Sequence, residues 1–234
     1  MYHAITTISL DLDDTLWPVR PVIHAAERAL RAWLDEHYPR IYQTFDRDAV
    51  MAMRRELVAR YPERAHDLTF VRKQLLLRMA MSAGYDDSLV EPAFELFDTH
   101  RNRVTFYDDA IPALEQLHQR YTLVALTNGN ASLNKTGIAR YFKAKVSAID
   151  VGAAKPDVRM FDGVARAAGA APAEILHIGD DPHLDVHGAR CAGQLALWLN
   201  RTRSSWPAAL GGEPATISDL HALVSLLLGG AHEH

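Results

Sequence analysis

The chain has 234 residues, with 25 Lys and Arg against 29 Asp and Glu and a formal charge of −4. Hydrophobic residues at 48% and charged residues at 23% match ordinary globular composition, so a sizeable core can form and neither disorder nor nucleic-acid binding is expected. The lone Cys191 excludes an intramolecular disulfide framework and fits a cytoplasmic setting, Met1–Leu10 lacks the pattern of a signal peptide, and no apolar run reaches the roughly 20 residues of a membrane helix.

Residues Ile5 to Leu12 are apolar and β-branched and run into Asp13-Asp14-Thr15, the pattern of a strand ending in a polar loop. After Pro18 and Pro21 the period changes: Val22, Ala25, Ala26, Ala29, Leu30, Trp33 and Leu34 fall on one helical face. Further helices are predicted at Met51 to Arg60, from Leu68 to Met79 behind a capping Asp67, and around Val90, Phe94 and Phe97 behind the pattern Ser88 to Glu91. No strand signal returns until after Val104. The pattern then alternates: helix Ala110–Gln119, strand Thr122–Thr127, helix Leu133–Ala139, strand Val146–Ile149, helix Asp157–Ala168, strand Ile175–Ile178, helix Leu184–Cys191, strand Leu195–Leu199. Such alternation predicts an α/β fold, a Rossmann-like parallel sheet core formed by residues 1–17 and 105–234 with an all-helical cap domain inserted at 18–104. Pro207 to Pro214 reads as a loop, and the tail from Gly229, with His232 and His234, as frayed.

Three of the predicted strands end in polar loops, carrying Asp11 and Asp13, Thr127 and Asn128, and Asp180 and Asp181. In open parallel sheets ligands bind at the carboxyl ends of strands, so these loops should converge. Carboxylates crowded together cannot all stay ionised without compensation, and a hard divalent cation, Mg²⁺ first, is the usual compensator. A cation so held favours a phosphate-bearing ligand. Each loop also has an ordinary explanation: Asp-rich and Asn-Gly turns are common, Asp180 or Asp181 can cap a helix, and Lys155 before Pro156 can be a solvated loop residue.

Taken in order, the motifs resemble those of the haloacid dehalogenase superfamily of phosphohydrolases. Asp11-Leu-Asp13-Asp14-Thr15 is similar to its Asp-x-Asp-x-Thr motif, Thr127 to its Thr or Ser motif, Lys155-Pro156 to its Lys motif, and Gly179-Asp180 through Asp185 to its Gly-Asp-x-x-x-x-Asp motif. The helical insert resembles the helical-cap subclass. More narrowly, the stretches Asp11 to Ile23, Thr127 to Asn130 and Glu174 to Asp181 resemble bacterial phosphatases that act on FMN and on 5-amino-6-(5-phospho-D-ribitylamino)uracil.

The resemblance, with the chemistry of phosphoryl transfer, implies roles. Asp11 is expected as the nucleophile forming an aspartyl phosphate, and Asp13 as the acid and base, with its backbone carbonyl a metal ligand. Thr127, the Asn128 amide region and Lys155 are expected to hold the phosphoryl oxygens. Asp180 should complete the metal site with Asp11 and Asp13, with Asp181 or Asp185 as the further acidic member. Dehalogenating members lack a carboxylate where Asp13 stands, because a halide leaves without a proton.

Trp17 and Arg20 follow the nucleophile and are expected as substrate contacts or packing at the start of the insert, and Arg72 as a further contact. His177 reads as a core residue beside the site, Cys191 as a small buried one, and Arg54, Arg55, Arg60 and Arg64 as a solvated face. The expected partner is a small phosphorylated metabolite, neither nucleic acid nor membrane. Competing readings are a sugar-phosphate or phosphoglycolate-type phosphatase, a 2-haloacid dehalogenase, a non-catalytic binding module and a phosphoacceptor signalling domain.

Overall fold

The computed structural model describes residues 2–229, so the expectations for His232 and His234 lie outside the described residues. Six strands, β1 (Thr7–Leu10), β2 (Thr122–Thr127), β3 (Ala144–Ser147), β4 (Ile175–Gly179), β5 (Leu195–Leu199) and β6 (Thr216–Ile217), form one parallel sheet in the order β3-β2-β1-β4-β5-β6. β1 and β4 are buried along their whole length, the pattern of strands covered on both faces. Leu10 stands level with Ala125 and with Ile178, so the chain leaves β1, β2 and β4 at one edge of the sheet. The strand order reverses at β1, and a crevice at such a reversal, outside the carboxyl ends, is where open α/β sheets hold ligands.

Helix Val158–Ala168 covers the sheet through Met160, Phe161 and Val164, which pack with Val124, Leu126, Val146 and Ile175. Asp157 caps its first turn, accepting from the Arg159 amide at 2.9 Å. The sheet belongs to a unit made of Met1–Pro18, Thr105–Gly129 and Gly137–His234.

A second unit, Val19–Val104 with Asn130–Thr136, is helical. Its helices Val19–His37, Arg40–Thr44, Arg47–Arg60, Leu68–Ser82 and Val90–Arg101 enclose their own core, including Ala26, Leu30, Leu34, Leu57, Met79 and Phe97. Asp67 caps the fourth of these through the Phe70 amide at 2.8 Å. Residues 130–136, assigned from sequence to the sheet unit, group instead with the helices. There the Ser132 amide donates to Asn102 Oδ1 at 2.7 Å and Lys135 pairs with Asp98 at 2.5 Å.

Other expectations need correction. The helix at Leu133–Ala139 does not form: Gly137 sits at φ 81°, a left-handed conformation that interrupts a helix, and a short turn follows at Ala139–Tyr141. The third strand ends at Ser147 because Ser147 caps the turn Ala148–Val151. Asp86, not Ser88, accepts at the start of the turn before Val90. β6, helix Arg40–Thr44 and helix Leu220–Leu228 had no sequence prediction. No helix among the described residues is long and apolar enough to cross a membrane.

Candidate active site

β1 delivers Asp11 to the sheet edge, and the Asp11 amide extends the ladder by donating to Ile178 O at 3.0 Å. The Lys155 ammonium meets Asp11 Oδ1 at 2.6 Å, Asp185 Oδ1 at 2.6 Å and the carbonyl of Leu126 at 3.2 Å, which occupies its three donors. Lys155 stands in a turn before a cis bond to Pro156, and Asn128 fixes that turn from both sides. The Asn128 side chain donates to Lys155 O at 3.1 Å and accepts from the Lys155 amide at 2.6 Å. Asn128 thus positions Lys155, a role not read from its place beside Thr127.

Asp185 reaches the same spot from a π-helical turn, Pro182–His187. Its carboxylate also accepts from the Asp181 amide at 3.0 Å and contacts His177 Nε2 at 3.1 Å. Gly179 is required here by close approach, since a Cβ at that position would overlap the Asp185 carboxyl group. Asp11, Asp180 and Asp185 each place an oxygen within 4.8 Å of the others. Asp181 is not in that cluster; its carboxylate caps the following turn, accepting from the His183 and Leu184 amides, each at 2.8 Å. Of the two candidates for the further acidic position, Asp185 is the one whose carboxylate lies in the cluster.

One buried lysine faces three carboxylates, and the titration of each carries that imbalance. Burial pushes Asp11 well above the usual carboxylate range, with Asp185 and Asp180 adding to the rise against Lys155. Asp180 is pushed up to about 7 by burial and by Asp185 and Asp14. Asp185 is buried too, but Lys155 and His177 overcome burial and hold it well below the usual range. Asp11 and Asp185 differ, although each touches Lys155 at the same distance, because Asp185 has two further donors in the Asp181 amide and His177. Burial lowers His177, whose neutral ring fits the network by donating to Asp185 and accepting from Ser9 Oγ at 3.0 Å. The ligand atoms that the cluster offers are all oxygens, and burial with mutual repulsion raises both Asp11 and Asp180; this set suits a hard divalent ion.

Asp13 sits where a three-residue turn begins, and Asp14 takes φ 58° to close it. Trp17 is completely buried and its indole N–H donates to Asp13 Oδ1 at 2.8 Å. The substrate contact expected of Trp17 is not what this burial provides; the ring acts on the site through Asp13. Thr127 is buried and its Oγ1 accepts from the Gly129 amide at 2.9 Å, leaving the hydroxyl proton for another acceptor.

Arg20 is exposed on the first turn of helix Val19–His37 in the helical unit. Arg72 in that unit is committed to Glu27 at 2.7 Å and lies over the Phe97 ring at 3.4 Å. Cys191, expected to be buried, is exposed, with Sγ 3.5 Å from His187 Nε2. His177 lies where sequence spacing places it, buried beside the site on the strand face it shares with Gly179. Spacing could not have flagged the Trp198 indole, which donates to Asp180 O at 2.8 Å.

The family model for haloacid dehalogenase-like hydrolases matches residues 5–193. The chain belongs to this hydrolase family and is a phosphatase. It is 32% identical over 199 residues to the 5-amino-6-(5-phospho-D-ribitylamino)uracil phosphatase YigB of Escherichia coli K12, covering 83% of each chain. It is 30% identical over 205 residues to a glyceraldehyde 3-phosphate phosphatase of Methanopyrus kandleri, covering 84% of each. Among solved structures, a 2-haloacid dehalogenase from Pseudomonas syringae pv. tomato DC3000 superposes with a TM-score of 0.91 at 34% identity, covering 97% of this hydrolase and 100% of that chain.

Proposed function

We propose that this hydrolase cleaves small phosphate monoesters through an aspartyl phosphate on Asp11, with Mg²⁺ as cofactor. The observation that carries this reading is the cluster of buried Asp11 and Asp185 with half-buried Asp180 beside Lys155 at the reversal of the sheet. Asp11, Asp180, Asp185 and the backbone carbonyl of Asp13 would hold Mg²⁺, which would offset phosphate charge when bound.

Asp11 Oδ1 is engaged by Lys155, and Oδ2 is the oxygen that attacks phosphorus. Asp13, aimed by Trp17, gives its proton to the departing alkoxide and then takes one from the water that cleaves the acyl phosphate. Lys155 keeps Asp11 directed and offsets charge on the phosphoryl oxygens, while the Thr127 hydroxyl and the Asn128 amide donate to them. A carboxyl group at residue 13 serves an alkoxide leaving group and has no task when a halide departs. That favours phosphate esters over the carbon–halogen substrates suggested by the dehalogenase neighbour.

For substrate we propose a phosphorylated ribityl chain on a flat ring, FMN or 5-amino-6-(5-phospho-D-ribitylamino)uracil, supported by the similarity to YigB over most of both chains. Binding energy from a ring remote from the phosphate can be spent on aligning it with Asp11. Sugar phosphates are the alternative, and glyceraldehyde 3-phosphate is the case named by the second relative. Steady-state comparison of FMN with glycerol phosphate, hexose phosphates and a 2-chloro acid tests the reading. A higher kcat/KM for FMN is expected; parity among the esters would remove the ribityl substrate, and halide release without phosphate release would remove the phosphatase. A cytoplasmic location agrees with the unpaired Cys191.

A further inference from the structure

The turn that carries Asp13 is short, and residues far away in sequence hold its carbonyls. Asp13 and Trp17 pair across it, and the Asp14 amide donates to Trp17 O at 2.7 Å. At its tip, Thr15 O accepts from Arg201 Nη2 at 2.9 Å and from Arg201 Nε at 3.3 Å. The same guanidinium grips Asp109 through two bonds, Nη1 to Oδ2 at 2.9 Å and Nη2 to Oδ1 at 3.0 Å. Asp109 in turn accepts from the Leu220 amide at 2.7 Å, which ties it to the last helix. The Arg201 guanidinium also lies 4.0 Å from the centre of the Tyr107 ring, and the Tyr107 amide donates to Leu16 O at 3.0 Å. Two adjacent carbonyls of one turn, Thr15 and Leu16, are thus held by one assembly.

Such an arrangement exceeds what packing needs. A planar guanidinium with two bonds to one carboxylate is fixed in orientation, which a lysine in its place could not be. Two further donors, on Nε and Nη2, go to a backbone carbonyl two residues from Asp13. If the turn shifts, the Trp17 indole shifts with it, and so does the Asp13 carboxylate that it holds. Proton transfer demands placement within hydrogen-bond reach of the leaving oxygen, so a small displacement is felt in the protonation step first.

We propose that Arg201, oriented by Asp109, is a positioning residue for the proton-transferring Asp13, acting through the Thr15 carbonyl and Trp17. This inference rests on the acid and base role given above to Asp13. Its signature is a dependence on the leaving group, because a nitrophenolate departs without a proton whereas an alkoxide does not.

The experiment measures kcat and KM on an alkyl phosphate and on p-nitrophenyl phosphate for Arg201→Gln, Arg201→Lys, Trp17→Phe and Asp13→Asn, with the melting temperature of each. For Arg201→Gln and Trp17→Phe, kcat on the alkyl ester is expected to fall about tenfold further than kcat on the aryl ester, with KM little changed. Arg201→Lys, which keeps the charge but not the fork, is expected to show the same direction. In the double variant Arg201→Gln with Trp17→Phe the losses should be less than additive, since both act on one carboxylate. Equal losses on the two esters in folded Arg201→Gln and Arg201→Lys, while Asp13→Asn still discriminates, would overturn the positioning role. Absence of discrimination in Asp13→Asn would instead overturn the acid role on which it stands.

Discussion

The two units handle charge in opposite ways. In the helical unit, Lys73 pairs with Glu91 and Arg78 with Glu56, each at 2.7 Å, with side chains between 31% and 65% exposed. Cation and carboxylate are matched, and water screens both. In the sheet unit, Lys155 serves Asp11 and Asp185 with all three side chains less than 10% exposed, and Asp180 adds a further carboxylate. A buried group of charges contributes poorly to stability and is strongly destabilising when one partner is removed. An unbalanced buried cluster of this kind gains the fold little, whereas the matched surface pairs are screened by water and cost little to hold.

The largest expected effect lies at the centre of the cluster. Asp11→Asn should abolish turnover with the fold intact, because an amide cannot accept the phosphoryl group. Steady-state activity above background in a clean preparation would end its assignment as nucleophile. Lys155→Met should also remove activity, and in addition destabilise by about 3–5 kcal/mol at neutral pH by leaving buried carboxylates without their cation. Asp185 is held low in the folded protein, so its contribution is present above the ordinary carboxylate range and fades as pH falls. Without Lys155 the buried carboxylates take up protons at higher pH, so the deficit of Lys155→Met should shrink in acid, which denaturation at pH 7 and pH 4 would reveal.

Metal addition sharpens the contrast. Asp180, pushed up to about 7, favours the folded state in its protonated form, so that contribution is full below the ordinary carboxylate pKa and is lost as pH rises through about 7. A cation must displace that proton. The rise in melting temperature on adding Mg²⁺ should therefore be larger at pH 8 than at pH 6, and should vanish in Asp180→Asn. Equal shifts at both pH values would argue that the ion does not bind at Asp180.

A smaller change tests the geometry alone. Gly179→Ala adds no charge, yet the new Cβ would collide with the Asp185 carboxyl group and move it off Lys155. Activity should drop by roughly a hundredfold, a scale set by misplacement of about an ångström in a catalytic array. Wild-type turnover in this variant would show that Asp185 can relax without consequence.

How much of this was legible in the sequence follows the range of the interactions. Strands Thr122–Thr127 and Leu195–Leu199 were read residue for residue because short β-rich runs bounded by turn signals carry their own pattern. Asp11 and Asp180 could be nominated because each follows a strand end, whereas Lys155 and Asp185 came from the resemblance to the haloacid dehalogenase motifs, Asp185 only as an alternative to Asp181. Local competition defeated the helix at Leu133–Ala139, where Gly137 outweighed a weak apolar period. β6 has only Thr216 and Ile217, too short for a period to register. The Arg201–Asp109 grip on Thr15 joins residues 92 and 186 positions apart, a distance at which no spacing rule operates.

The smallest expected effect belongs to the helical unit and closes the comparison from its other side. In Glu91→Gln the carboxylate facing Lys73 becomes a neutral amide. Glu91 is 65% exposed at its side chain, so the desolvation that makes the Lys155 cluster costly to disturb is absent here. Lys73 also keeps its position 4.7 Å from the centre of the Phe94 ring, an attraction that the substitution leaves in place. The change in unfolding free energy should stay within about 0.5 kcal/mol, and kcat should be unaltered. Chemical denaturation of the two proteins at low and at 0.5 M salt provides the check, because added salt should shrink even that small difference. A loss comparable to that of Lys155→Met would mean that the surface pairs bear on the fold as heavily as the buried cluster does, and the distinction between the two units would fail.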